Sequence, residues 1–197
     1  MAITRERFEQ GLTYEQFKAQ MTRNQDRFAA NELHTHLKTL DVNAIQGLAQ
    51  PVHVLVLAED WCGDVIDNLP VLGQLADATD KLDVRIFLRD QNLDIMDQYL
   101  NQGQFRSIPV FVFFDQDFNE LGHFIERPQS VTERRNQQRA ELFAQHPEFG
   151  DPQTPVSQLA EDIRTQLMAA TMAQREEGKE ADNQAVIEAI RAIIAPA

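Results

Sequence analysis

The chain has 197 residues, 43% hydrophobic and 25% charged, with a formal net charge of −13; this is the balance of a globular protein able to bury one full core. The acidity argues against nucleic acid, whose phosphates need a basic surface, and no apolar run reaches the roughly 18 residues that a membrane span needs. A single cysteine excludes an internal disulfide framework, and the charged opening MAITRERFEQ has no apolar signal core, so a cytoplasmic location is expected.

Residues 1 to about 48 read as amphipathic helix, with Phe8, Leu12, Phe17, Met21 and Phe28 recurring among charged residues. Thr13 and Gln16 have capping-box spacing. Gly47 and Pro51 punctuate the chain, and Val52 to Leu57 (VHVLVL) is too apolar for a one-sided strand, so it is expected to be covered on both faces. From Cys62 to about Ala78 the pattern is helical through Val65, Leu69, Leu72 and Ala76. Asp83 to Leu88 is the next strand, and Asp94 to Leu100 a short helix closed by Gly103. Val110 to Phe114 is a third strand, which Leu121 to Ile125 joins as a hairpin across the turn Asp115 to Asn119.

Beyond Pro128 a helix is expected over about 131–145 and a loop over 146–155. Helices follow at about 156–176 and 181–195, separated by the charged, glycine-bearing stretch Glu176 to Asp182. Arg134, Arg135 and Arg139, bordered by Glu133 and Glu141, read as a solvated, charge-paired helix face. The whole divides into an N-terminal helical extension (1–48) packed on the core, a central domain (49–145) and a C-terminal helical extension (146–197). Strands alternating with helices predict the α/β class, a sheet flanked by helices. The terminal arms are candidates for dimer contacts, and Val186, Ile190 and Ile193 are spaced to pack on the chain's own core or on a second copy.

Cys62 lies in Glu59-Asp60-Trp61-Cys62-Gly63-Asp64, directly after a buried strand and at the opening of a helix. Unpaired N–H groups and the helix dipole favour thiolate there, and thiolate is the nucleophilic form. The alternative is a lone cysteine acting as a small apolar residue. His34 and His36 face different sides of any helix, and His53 and His123 fall on separate strands, so no metal site is expected.

Trp61-Cys62-Gly63 after an apolar strand, with Pro70 eight residues beyond the cysteine, resembles the thioredoxin superfamily. Ser107-Ile108-Pro109 ahead of an apolar strand is similar to that superfamily's cis-proline motif. The form Glu-Asp-Trp-Cys-Gly-Asp with Asn68-Leu69-Pro70 looks closest to a bacterial thioredoxin-like family of poorly defined activity. The resemblance covers about residues 50 to 145. It implies a thioredoxin fold, a central mixed sheet flanked by helices, with extra N- and C-terminal helices. It makes Cys62 the catalytic candidate, and Trp61, Gly63, Asp64, Ile108 and Pro109 its substrate-binding surroundings.

The pattern breaks where a dithiol enzyme needs it most. The second cysteine of such an enzyme would stand at Val65, and the buried acid that usually precedes the first by six residues is replaced by Val56. Asp64 adds a negative charge that disfavours thiolate. Two functions remain. One is a monothiol disulfide oxidoreductase with no bound cofactor, glutathione as a candidate co-substrate, and a protein or small-molecule thiol or disulfide as partner. The other is a thioredoxin-fold binding protein that has lost redox cycling. Glu59 and Asp60 are the candidate proton carriers beside the thiol.

Overall fold

A computed structural model describes residues 3–195, and these fall into two compact units. One is built from the chain up to Pro128 together with Asn183 onward, the other from Gln129–Asp182.

The first unit is organised on β1 (Val52–Ala58), whose seven residues are all buried. Such a strand needs a neighbour on each edge and a cover on each face. β2 (Leu82–Leu88) pairs with it in parallel, Val54 opposite Val84. β3 (Val110–Phe114) pairs antiparallel on the other edge, Leu55 opposite Val112. β4 (Glu120–Ile125) completes the order β2-β1-β3-β4. The Asp115–Asn119 turn forms as expected, because Asp115 Oδ1 accepts the Asp117 and Asn119 N–H groups, both at 2.9 Å. The sheet is therefore mixed and flanked by helices, the α/β thioredoxin fold with extra terminal helices.

Four short helices precede the sheet: α1 (Arg5–Phe8), α2 (Tyr14–Gln20), α3 (Gln25–Leu33) and α4 (Thr39–Gln46). The expected capping box is present, with Thr13 and Gln16 bonding each other's backbone. Leu12 exchanges two backbone hydrogen bonds with Ile86, 2.9 and 2.8 Å, and so covers the outer edge of β2. α5 (Gly63–Thr79) carries Pro70 inside it and packs on β2, α3 and α4. Gly73 of α5 leaves room for the Tyr14 ring of α2, since a Cβ there would fall 2.3 Å from Tyr14 Cζ.

The short helix expected over 94–100 is only α6 (Leu93–Met96), preceded by a 3₁₀ turn at Arg89–Gln91. It stops because Asn101 and Phe105 bridge to each other and Gly103 takes a left-handed backbone, φ 70°. In the second unit α7 (Gln129–Gln145) is followed by 3₁₀ turns at Pro147–Phe149 and Val156–Gln158. The two C-terminal helices expected at 156–176 and 181–195 are one, α8 (Glu161–Ile194). A single helical glycine costs about 1 kcal/mol, and Gly178 does not break the run. Arg135 holds Asp182 at 2.7 and 3.1 Å, and Arg134 pairs with the same carboxylate. Arg134 and Arg135 are thus charge-paired through Asp182, while Arg139 donates to the Pro152 carbonyl at 3.1 Å. Leu142, Phe143, Phe149 and Leu167 form this unit's small core. Residues of α8 beyond Asp182 belong to the first unit, where Val186, Ile187 and Ile190 are fully buried in its main core.

Candidate functional site

β1 ends at Ala58, and the next three residues turn the chain so that Cys62 N donates to the Glu59 carbonyl at 3.2 Å. Cys62 is the N-cap of α5 and still has extended dihedrals, φ −84° and ψ 121°; Gly63 is the helix's first residue. The thiol is half-buried and donates to the Ile108 carbonyl at 3.3 Å. The Ile108–Pro109 peptide is cis. Cys62, Ile108 and Pro109, far apart in sequence, therefore meet at the carboxyl end of β1 and the entry to β3.

The segment leaving β4 closes the other side. Glu126 N donates to the Pro109 carbonyl at 2.6 Å, and Asn68 Nδ2 donates to the Glu126 carbonyl at 2.7 Å. Arg127 pairs with Asp64 in the first turn of α5. Asp64 thus serves helix and ion pair as well as flanking the thiol. Val65 and Val56 are completely buried in the core, so the position three beyond the cysteine holds no polar group.

Trp61, the residue before Cys62, is 42% exposed. The Arg89 guanidinium lies 4.9 Å from its ring centroid and donates to Asp90 at 2.7 and 2.9 Å and to the Arg106 carbonyl at 3.1 Å. One side chain therefore ties the Trp61 turn to the end of β2 and to the irregular segment leading into Ile108.

Burial pushes the Cys62 thiol above its ordinary range. The backbone N–H groups of Val65 and Asp64 pull it down, while the Asp64 and Glu126 carboxylates push it up again. The helix terminus thus acts in the expected direction but is outweighed. Among the acids, burial raises the Glu59 carboxyl despite the Asp90 N–H that it accepts at 2.9 Å. Burial acts the same way on Asp60, yet the Thr22 and Arg23 donors outweigh it and hold that carboxyl below its usual range. Asp60 Oδ2 accepts Thr22 N at 2.6 Å, Thr22 Oγ1 at 3.1 Å and Arg23 N at 3.0 Å. Those bonds fasten the N-terminal segment to the Cys62 turn.

Glu126, Arg127, Asn68 and Arg89 were not legible as site residues. Arg127 sits two residues beyond a strand end like many surface arginines, and its partner Asp64 is 63 positions away in the chain. Among the described residues no cluster of His, Cys, Asp and Glu has the makings of a metal site, and no helix is long and apolar enough to cross a membrane.

No curated protein matches the chain. Its structure is similar to the 1.5 Å crystal structure of a protein of unknown function from Pseudomonas aeruginosa, at TM-score 0.64 and 23% identity, over 96% of this chain and 99% of that one. It is also similar to an HIV epitope-scaffold, at TM-score 0.61 and 21% identity, over 95% of this chain and 99% of that one. These likenesses concern the fold. A family model described as Thioredoxin matches residues 11–139, which spans α2 to α4, the sheet, the Cys62 turn and the Ile108–Pro109 bend, and the chain accordingly belongs to the thioredoxin family.

Proposed function

We propose that this thioredoxin-like protein works through one thiol: Cys62 takes a partner's sulfur into a mixed disulfide, and an outside thiol such as glutathione releases it. The observation that carries this reading is the Cys62 Sγ held 3.3 Å from the Ile108 carbonyl, in a partly buried residue that directly follows the exposed Trp61. In the first step the Cys62 thiol loses its proton and its sulfur attacks one sulfur of a disulfide. The new S–S bond forms as the old one breaks, and the expelled thiolate takes up a proton. In the second step an outside thiolate attacks the mixed disulfide, Cys62 leaves reduced and protonated, and the partner departs disulfide-bonded to the outside thiol.

Burial sets the tempo of both steps. A thiol held above its ordinary range gives little thiolate near neutral pH, and it is a slow leaving group. Adducts therefore form slowly and persist, which suits a thiol kept in a reducing compartment such as the cytoplasm. A second reading, a binding protein without redox turnover, is favoured by that same raised thiol and by the buried valines at positions 56 and 65. Insulin-disulfide reduction in the presence of glutathione separates the two. The redox reading expects activity that disappears in Cys62→Ser, and equal activity in the variant sinks it.

A further inference from the structure

A cavity of about 220 Å³ opens beside the Cys62 turn, lined by Phe17, Gln20, Met21, Thr22, Glu59, Asp60 and Leu88. It sits where the parallel strands β1 and β2 both end, with the N-terminal segment from α2 to Thr22 as its outer wall. We propose that this cavity binds a primary alkylammonium group, with the Glu59 carboxylate as counter-charge.

Three observations converge on that ligand class. Glu59 is only 9% exposed, yet just one of its oxygens is occupied: Oε1 accepts the Asp90 N–H at 2.9 Å, and among the described residues no group donates to Oε2. Oε2 is not sealed in the interior, and Glu59 lines the cavity, so a cation that enters can pair with it. The cation that acts on it, Arg89, is already engaged by Asp90, the Arg106 carbonyl and the Trp61 ring. The second acid of the lining, Asp60, has its Oδ2 occupied by Thr22 and Arg23 and adds a second negative charge to that of Glu59. Of the remaining lining, Gln20 and Thr22 are polar, and Phe17, Met21 and Leu88 offer apolar contact for the alkyl stem behind an ammonium group. An anion is disfavoured by the two carboxylates, and the acids lack the third ligand a metal ion would require. Burial disfavours the charged form of Glu59, and a bound ammonium would restore it.

The site does not depend on Cys62 chemistry, so its test is independent of the thiol. The ¹⁵N-labelled full chain is titrated with n-butylammonium chloride while the Asp90 amide, which bonds Glu59 directly, is followed by NMR. A saturable Asp90 shift is expected, absent with 1-butanol and with sodium chloride. Glu59→Gln keeps the acceptor for Asp90 and should weaken the binding about tenfold or more, as loss of a charge-assisted hydrogen bond does. A blocked lysine tripeptide forms a second arm: tighter binding than butylammonium assigns the site to a partner protein's lysine, and equal or weaker binding assigns it to a free amine. No saturable shift with butylammonium, an equal shift with 1-butanol, or unchanged affinity in Glu59→Gln overturns the proposal.

Discussion

Replacing Gly73 with alanine tests how α5, the helix that carries Cys62, is seated. The added Cβ would lie 2.3 Å from Tyr14 Cζ and 2.6 Å from its Oη and Cε2, whereas carbon atoms in contact prefer about 3.5–4.0 Å. The Tyr14 ring must therefore retreat by roughly 1 Å or more. It is not free to do so: its hydroxyl donates to Glu32 at 2.9 Å, its ring centroid lies 5.9 Å from that of Phe28, and Lys18 Nζ covers it at 5.4 Å. Overpacking of this kind costs about 1–3 kcal/mol, and a broken hydroxyl–carboxylate bond adds about 1.5 kcal/mol or more. Against this, alanine in a helix interior regains about 1 kcal/mol over glycine. The net expectation is a loss near 2 kcal/mol, read as a fall in Tm of about 4–8 °C for a chain of this size. Thermal unfolding followed by circular dichroism measures it. In a Tyr14→Ala background the clash is gone, and Gly73→Ala should then be neutral or stabilising. An unchanged or higher Tm for Gly73→Ala in the wild-type background would refute the reasoning, because helix propensity would have won over packing.

Asp64→Asn removes one of the charges that push the Cys62 thiol up, so its alkylation profile should move to lower pH. Burial is the larger cause, and the thiol should still titrate above the free-thiol value of about 8.5; a profile at or below that value contradicts the ranking. Because the folded thiol is the harder one to ionise, stability should fall as pH rises from the unfolded thiol's range through the folded one's, and Cys62→Ser should remove that slope from urea titrations. Val65→Cys places a second thiol at the dithiol spacing, and dithiol-driven insulin reduction should appear where the wild type shows none without an added monothiol. Arg89→Gln frees the chain's one tryptophan, so Trp61 emission should shift to longer wavelength and acrylamide should quench it more readily, with the far-ultraviolet spectrum unchanged.

The fold was readable because its strongest signals are one-dimensional. The unbroken apolar run of β1, the Thr13–Gln16 cap, the Asp115–Asn119 turn and the two proline-bearing motifs each act over a few residues. Where reading failed, the deciding contact lay far along the chain. Gly178 looked like a helix break because its neighbourhood is charged and flexible in sequence, but Arg134 and Arg135 hold Asp182 from α7. The site shows the same division. Cys62, Ile108 and Pro109 could be named from motifs, whereas the Arg127–Asp64 pair, the Asn68–Glu126 clamp and the Arg89–Trp61 stack join segments that no local pattern relates. The state of the thiol was undecidable for a similar reason: the helix terminus and Asp64 are local and act in opposite directions, while the burial that decides the balance arises only in the assembled fold.

Intact-mass measurement of the reduced protein after incubation with oxidised glutathione, across pH 7 to 10 (about the free-thiol value on either side), bears on the single-thiol function most directly. One glutathione should add, only when Cys62 is present, faster as pH rises, and excess reduced glutathione should remove it. Absence of an adduct, or an equal adduct in Cys62→Ser, would contradict a working Cys62 and leave the fold as a binding platform.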